Sequence, residues 1–253
     1  MRQDLSEGAG ASDYPPMVLL HGIFGKPADW DECERYFDGS CEVFAPRLPM
    51  ANINRAQRNL EHVVGHVMDF LDGSGIDRTV LGGNSLGGHI ALHIALRYPL
   101  RVAGLILAGS SGLFERGYTR NVPHRPDTTW LKTKMREIFF DEALITEKLV
   151  EEIRESLTDR RRIAGYVRMA ASAKRDNLRD VLHQIRAPVL LVWGANDAIT
   201  PPSVAYEFKE RLPLAELEFI DECGHAPTLE KPHEFNRIVE RFLQRHFVPL
   251  HAG

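Results

Sequence analysis

The sequence predicts an α/β fold, with a mainly parallel sheet flanked by helices and one helical segment inserted into it. Short apolar runs of strand length alternate with amphipathic helical patterns, as in parallel sheets with crossover helices. The chain has 253 residues, of which 43% are hydrophobic, so it can bury a substantial core. Residues 114–187 break the alternation and contain no convincing strand. We therefore expect a core domain of residues 1–113 and 188–253, with a helical lid at 114–187.

Four strands and three helices are predicted before the insertion. The helix near 55–71 has the clearest pattern, because its apolar residues recur at intervals of three and four before Gly73 and Gly75 end it. The predicted strands are 16–20, 42–45, 79–82 and 102–107, and the predicted helices are 27–37, 55–71 and 86–97.

The insertion and the last part of the chain are mostly helical. After the insertion, the buried run 188–193 restores the alternation of strand and helix. The predicted helices are 130–140, 146–156, 160–174, 204–211 and 232–246, and the predicted strands are 188–193 and 217–220.

The overall charge argues against nucleic acid and anionic membranes as partners. The formal net charge is −4, so the chain has no electrostatic preference for polyanions. Residues 1–13 are polar and acidic, unlike a secretory signal, and no apolar run reaches the roughly 18 residues of a membrane helix. We expect a protein that is soluble and cytoplasmic, as a monomer or a homodimer.

Cysteine and histidine usage indicates neither disulfides nor a metal. The three cysteines are an odd number without a Cys-x-x-Cys pair, which fits a reducing compartment. The eleven histidines are scattered and show no His-Glu-x-x-His pattern. The sequence therefore predicts no metal site and no cofactor.

A serine between glycines is the most informative motif. Gly83-x-Ser85-x-Gly87 lies between a predicted strand and a predicted helix, where a sharp turn would expose the serine oxygen as a nucleophile. The alternative is an ordinary glycine-rich turn in which Ser85 caps the helix. The flanking strand and helix favour the nucleophile.

A serine nucleophile needs a base and an acid that orients it. His225 follows the last predicted strand, at the carboxyl edge of the sheet where ligands bind in open α/β folds. Asp197 follows the first strand after the insertion and completes the chain order Ser, Asp, His. Asp221 competes as the acid, but we favour Asp197. The other place for an acid, at the end of the strand after the nucleophile helix, reads Gly109-Ser110-Ser111 and has no carboxylate.

The negative charge that develops on the carbonyl oxygen requires two positioned N–H donors. Leu86, at the start of the nucleophile helix, is expected to supply one. Ile23, in the loop after the first strand, is expected to supply the other, with Phe24 as the next choice. We expect His21 to brace this loop by hydrogen bonds and His89 to be structural.

These motifs resemble the α/β-hydrolases over nearly the whole chain. The residues that carry the resemblance are His21-Gly22, Gly83 to Gly88, Arg97-Tyr98-Pro99, Gly194 with Asp197, and Gly224-His225 with Glu230-Lys231-Pro232. The resemblance implies a serine hydrolase that forms an acyl-enzyme on Ser85, with 114–187 as a lid over it. The chain before His21 is too short for the antiparallel pair that usually opens the fold, so we expect that pair to be missing.

Three functions are compatible with the resemblance. Epoxide hydrolases and haloalkane dehalogenases use aspartate where this chain has Ser85, so their reactions are disfavoured. Asn84 and Gly87-Gly88 resemble the meta-cleavage product hydrolases, which break carbon–carbon bonds, but Ile23-Phe24 and Ala226 depart from that group. A carboxylesterase acting on small or medium acyl esters therefore leads. The carbon–carbon hydrolase is the alternative, and a receptor with little turnover is a third.

The lid and its surroundings supply the candidate substrate contacts. Residues 114–187 contain 16 Lys and Arg against 12 Asp and Glu, so they carry +4 while the rest of the chain carries −8. This pattern is either simple solvated helices or a device by which Arg120, Arg125 or Lys132 steers an anionic ester. The expected substrate-binding residues are Phe24, Asn84, Phe114, Trp130 and Phe139.

Overall fold

A six-stranded parallel sheet forms the centre of the protein. The computed structural model describes residues 14–50, 59–114, 123 and 126–247. The strand order is β2-β1-β3-β4-β5-β6, and every pairing is parallel. The described strands contain no antiparallel pair. The strands are β1 (Met17–Leu20), β2 (Val43–Phe44), β3 (Thr79–Asn84), β4 (Val102–Ala108), β5 (Val189–Gly194) and β6 (Ala215–Ile220).

The predicted helices occur in the predicted order, with differences at their ends, and α8 is an additional short helix. Asn59 caps α2 by accepting a hydrogen bond from the His62 N–H, so the described helix begins at Leu60; residues 55–58 of the predicted helix lie outside the described residues. The helices are α1 (Asp31–Phe37), α2 (Leu60–Gly73), α3 (Leu86–Arg97), α4 (Thr128–Met135), α5 (Glu147–Ser156), α6 (Arg160–Arg175), α7 (Pro202–Arg211), α8 (Pro227–Glu230) and α9 (Pro232–His246).

Helix α4 ends five residues earlier than predicted. Asp127 caps its start by accepting from the Trp130 N–H, and the helix ends at Met135. Three residues later the Ile138 carbonyl accepts a hydrogen bond of 2.7 Å from the His225 N–H. The Ile138 carbonyl therefore accepts from a residue 87 positions later instead of from a helix N–H. The local helical pattern of 130–140 cannot predict this contact.

Both faces of the sheet are covered, because alternate strand residues point to opposite sides. Val18 and Leu20 of β1 face a core formed with α2, α3, α6 and α7. Met17 and Leu19 of the same strand face a second core, formed with α1 and α9. The carboxyl ends of the strands are left as the edge at which loops meet.

The helices of the insertion, α4 to α6, pack into two different hydrophobic cores. Helix α6 joins the main core through Met169 and Ala173, whereas α4 and α5 form a small separate cluster that includes Ala226, the residue after His225. The insertion is thus packed beside the loop that carries His225. No helix in the described part of the chain is both long and apolar enough to span a bilayer.

Candidate active site

Ser85 occupies a strained turn between β3 and α3. Its φ is +53° and its ψ is −117°, a backbone conformation that costs a non-glycine residue about 1–3 kcal/mol. The Ser85 N–H donates to the Ala108 carbonyl at 2.9 Å, and the Ser111 N–H donates to the Ser85 carbonyl at 3.1 Å. The side chain makes no capping hydrogen bond to α3, in contrast to the alternative interpretation of the motif.

The glycines on either side of Ser85 are required by close backbone approach. A Cβ on Gly83 would lie 2.2 Å from the carbonyl carbon of Gly87, and a Cβ on Gly87 would lie 2.1 Å from the Leu20 carbonyl oxygen. No side chain fits at either position, so the motif is explained by sterics.

His225 and Asp197 form a buried pair. His225 Nδ1 lies 2.8 Å from Asp197 Oδ2, and the two side chains are 8% and 0% exposed. A carboxylate accepts hydrogen bonds, so the network assigns the proton to Nδ1 and leaves Nε2 of His225 as a potential base. Asp221, the competing acid, is an exposed residue.

Asp197 is held by three further donors. Its Oδ1 accepts from the N–H groups of Ile199 at 2.8 Å and Thr200 at 2.9 Å. The Thr200 hydroxyl donates to Oδ2 at 2.8 Å. Thr200 was not among the predicted site residues, although an aspartate in a loop commonly accepts from the backbone two residues on, as Asp197 does from Ile199.

Gly109, directly after β4, leaves room for the His225–Asp197 pair. This is the position where some α/β-hydrolases have the acid, and this chain has no carboxylate there. Gly109 has a φ of +49°, and a Cβ there would lie 3.0 Å from Asp197 Oδ2 and 3.1 Å from His225 Nδ1. A side chain at this position would press on the pair.

Asn84 contacts the loop of His225. Its amide nitrogen donates to the carbonyls of His225 at 3.0 Å and of Ala108 at 2.9 Å. Both amide protons are therefore used within the protein. This contact gives Asn84 a role in positioning the His225 loop, and its expected contact with substrate stays a prediction.

Glu230 joins the His225 loop to the insertion. Its Oε1 accepts from the Gly224 N–H at 2.8 Å, and its Oε2 accepts from the N–H groups of Phe140 at 2.7 Å and Asp141 at 3.3 Å. Burial raises the pKa of the Glu230 carboxyl, while these backbone donors oppose the rise. Its motif was noted, but two of its partners, Phe140 and Asp141, lie about ninety residues away, and no local pattern reveals them.

The loop after β1 lies beside Ser85. A Cβ on Gly22 would be 3.6 Å from Ser85 Cβ, and the Gly25 N–H closes the turn on the Gly22 carbonyl at 3.1 Å. Ile23 lies in this turn and Leu86 is the first residue of α3. Their N–H groups as oxyanion donors stay a prediction.

His21 braces this loop, as predicted. Its Nε2 accepts from the Leu48 N–H at 3.0 Å, so Nδ1 carries the proton and donates to the Gly22 carbonyl at 2.8 Å. Burial lowers the pKa of His21, which is consistent with a neutral ring.

An apolar cavity of about 80 Å³ lies between this loop and the insertion. Ile138, whose carbonyl accepts from the His225 N–H, is part of its wall. Phe24 contacts Tyr166, with ring centroids 4.9 Å apart. Lys134 is the charged residue in the wall, and it is paired with Glu137 at 2.7 Å. The lining residues are Phe24, Trp130, Leu131, Lys134, Met135, Ile138, Ile153, Leu157, Ile163, Tyr166 and Val167.

The predicted substrate contacts fall in different places. Phe24 and Trp130 line the cavity, whereas Phe139 is buried in the α4–α5 cluster and Phe114 is 56% exposed. Of the basic residues considered for steering, Lys132 is paired with Glu147. The other two, at 120 and 125, lie outside the described residues.

The comparisons with known proteins agree with this fold. A family model described as the alpha/beta hydrolase fold matches residues 15–232. A 2-hydroxy-6-oxononadienedioate/2-hydroxy-6-oxononatrienedioate hydrolase of Burkholderia vietnamiensis is 34% identical over 90% of this chain and 87% of its own length. The acetyltransferase component of the acetoin cleaving system of Pseudomonas putida is 31% identical over 94% of this chain, which spans only 65% of that protein.

A solved structure extends the similarity. It is an alpha/beta hydrolase enzyme from the metagenome of lagoon sediments at Mar Chica, Morocco, with 31% identity and a TM-score of 0.75 over 93% of both chains. The chain therefore belongs to the α/β-hydrolase fold family and is a hydrolase.

Proposed function

We propose that this hydrolase is a carboxylesterase that cleaves esters of short, uncharged acyl groups through an acyl-enzyme on Ser85. The observation that carries the proposal is a serine held at a strained turn, with a buried His225–Asp197 pair at the same edge of the sheet. A serine hydroxyl needs such a pair to become a nucleophile near neutral pH.

The proposed mechanism follows from the tautomer of His225, in which Nδ1 carries the proton and Nε2 can accept one. Ser85 Oγ attacks the ester carbonyl while His225 Nε2 takes its proton, and Asp197 stabilises the imidazolium through Nδ1. The carbonyl oxygen becomes an oxyanion, for which Ile23 and Leu86 are the proposed donors. His225 then protonates the leaving alkoxide. A water, deprotonated by His225, releases the acyl group as a carboxylic acid and restores Ser85.

The proposed acyl class rests on the apolar cavity whose wall includes Ile138, the residue that accepts from the His225 N–H. Its wall is almost wholly apolar, and its one charged residue, Lys134, is already paired with Glu137. The volume of about 80 Å³ is well below the roughly 300–1,000 Å³ typical of drug-sized ligands. These two properties favour a short acyl chain over a long or charged one.

Carbon–carbon bond hydrolysis is the second candidate, and the relatives favour it. The Burkholderia relative is named for a dioate, a substrate with two carboxylates. Such a substrate needs cationic donors, and the described wall of the cavity offers only the paired Lys134. We therefore place ester hydrolysis first.

The test compares both reactions in one preparation. Initial rates are measured on p-nitrophenyl esters of acetate, butyrate, hexanoate and octanoate, and on a vinylogous diketone that carries a carboxylate, with Ser85→Ala as the control. The proposal expects ester turnover that falls with acyl length and disappears in the variant. Faster turnover of the diketone would instead establish the second candidate. A single acylation without steady-state turnover would indicate a receptor.

A further inference from the structure

A buried pair of histidines lies on α3 outside the catalytic groups. His89 and His93 are one helical turn apart, and their rings stack with centroids 5.1 Å apart and an interplanar angle of 18°. His89 is 0% exposed, and neither of its ring nitrogens has a hydrogen-bond partner in the described structure. Buried polar groups are nearly always satisfied, so this ring requires an explanation.

A carboxylate from the insertion completes the group. Asp176 follows the last residue of α6, and its Oδ2 lies 2.9 Å from His93 Nε2. This contact links the histidine pair to the end of α6. The ligand atoms of the three residues all lie within 4.8 Å of one another.

These separations suit a bound metal ion. With bonds of about 2.0–2.1 Å, the ligand atoms of a tetrahedral zinc ion lie about 3.3 Å apart. The observed 2.9 Å and the upper limit of 4.8 Å lie on either side of that value. Imidazole lone pairs lie in the ring plane, so the nearly parallel rings must rotate for both to face one ion.

We propose that His89, His93 and Asp176 bind one divalent transition metal ion, and that Zn²⁺ suits the site best. Two imidazoles and one carboxylate form a borderline donor set that zinc favours, whereas Mg²⁺ and Ca²⁺ prefer oxygen ligands alone. The Asp176 side chain is 37% exposed, so solvent reaches the fourth position from that side.

The ion would fasten the insertion to the nucleophile helix. Asp176 comes from the end of α6, while the two histidines lie on the helix that begins directly after Ser85. The site shares no residue with the Ser85, Asp197 and His225 group. Its role is therefore structural, and it does not depend on which bond the enzyme cleaves.

The experiment titrates Zn²⁺ into chelator-treated protein by calorimetry and records the melting temperature with and without the ion. Asp176→Asn is the test variant because its side chain is partly exposed, so the variant is expected to fold. Asp180→Asn, an exposed position four residues later, is the matched control. Far-ultraviolet circular dichroism verifies that both variants fold.

The proposal expects one Zn²⁺ per chain and a higher melting temperature with the ion. Asp176→Asn should bind at least tenfold more weakly and lose most of the temperature shift, while Asp180→Asn should match the wild type. Co²⁺ should give the visible absorption of a tetrahedral complex, and His93→Gln should abolish it. No binding to the wild-type chain, or equal binding by Asp176→Asn, would overturn the proposal.

Discussion

Replacing Thr200 with valine removes the hydroxyl that donates to the candidate acid. The same hydroxyl lies 3.2 Å from the Gly109 carbonyl and 3.4 Å from His225 Nδ1, and these longer contacts are lost with it. The Thr200 side chain is completely buried, and its hydroxyl donates to Asp197 Oδ2 at 2.8 Å. Valine has nearly the same shape but no hydroxyl. Asp197 would keep the two backbone donors on Oδ1 and its contact with His225.

The size of the effect follows from that geometry. A hydrogen bond to a charged group contributes about 1.5–3 kcal/mol. Each kcal/mol shifts the melting temperature of a domain of this size by roughly 2–4 °C, so Thr200→Val should melt about 3–12 °C lower. The loss of transition-state stabilisation should be smaller than the full hydrogen-bond energy, because two backbone N–H groups still hold Asp197 Oδ1. We expect kcat/KM to fall about tenfold, which corresponds to roughly 1.4 kcal/mol of transition-state stabilisation.

The assay is hydrolysis of p-nitrophenyl butyrate, with melting temperatures measured in parallel. Thr200→Ser is the control, since it keeps the hydroxyl and loses only a methyl group. Its kcat/KM should stay within a few-fold of the wild type. The reasoning is refuted if the valine variant keeps full activity, or if the serine variant loses as much as the valine variant.

Three other predictions follow from the described contacts. Gly83→Ala should prevent folding, because its Cβ would lie 2.2 Å from the Gly87 carbonyl carbon. Gly65→Ala is the control, because a Cβ there has open space around it and the variant should fold normally. Soluble yield and circular dichroism show whether each variant folds, and a folded Gly83→Ala would contradict the prediction. Glu230→Gln should lower kcat several-fold with little change in secondary structure, because one amide N–H would face a backbone donor; unchanged kcat would contradict this. The three cysteines are buried, and burial raises the pKa of two of them to about 12. A thiol reagent at pH 8 should therefore react with all three only after denaturation, and a fast native reaction would contradict this.

The parts of the site that the sequence revealed are those with a local signature. Ser85 lies in a glycine motif at a strand end, and His225 and Asp197 each follow a strand, so a parallel sheet brings them to one edge. The alternation of apolar runs predicted the strands for the same reason, since period and length are local properties.

The parts that the sequence did not reveal depend on contacts between distant segments. The early end of α4 and the role of Glu230 both follow from bonds between residues 138–141 and the His225 loop. The bond from the Asn84 amide to the backbone carbonyl of a residue 141 positions away likewise has no local pattern. The spacing of His89 and His93 could have been noticed as one helix face, whereas their nearness to Asp176 could not.

The most direct test of the central claim is to identify the residue that a fluorophosphonate labels. We expect one label per chain, on the peptide that contains Ser85, with esterase activity lost in proportion to labelling. His225→Ala should slow the labelling by orders of magnitude, because the serine would lose its base. Labelling of another residue, or activity that survives complete labelling of Ser85, would contradict the account.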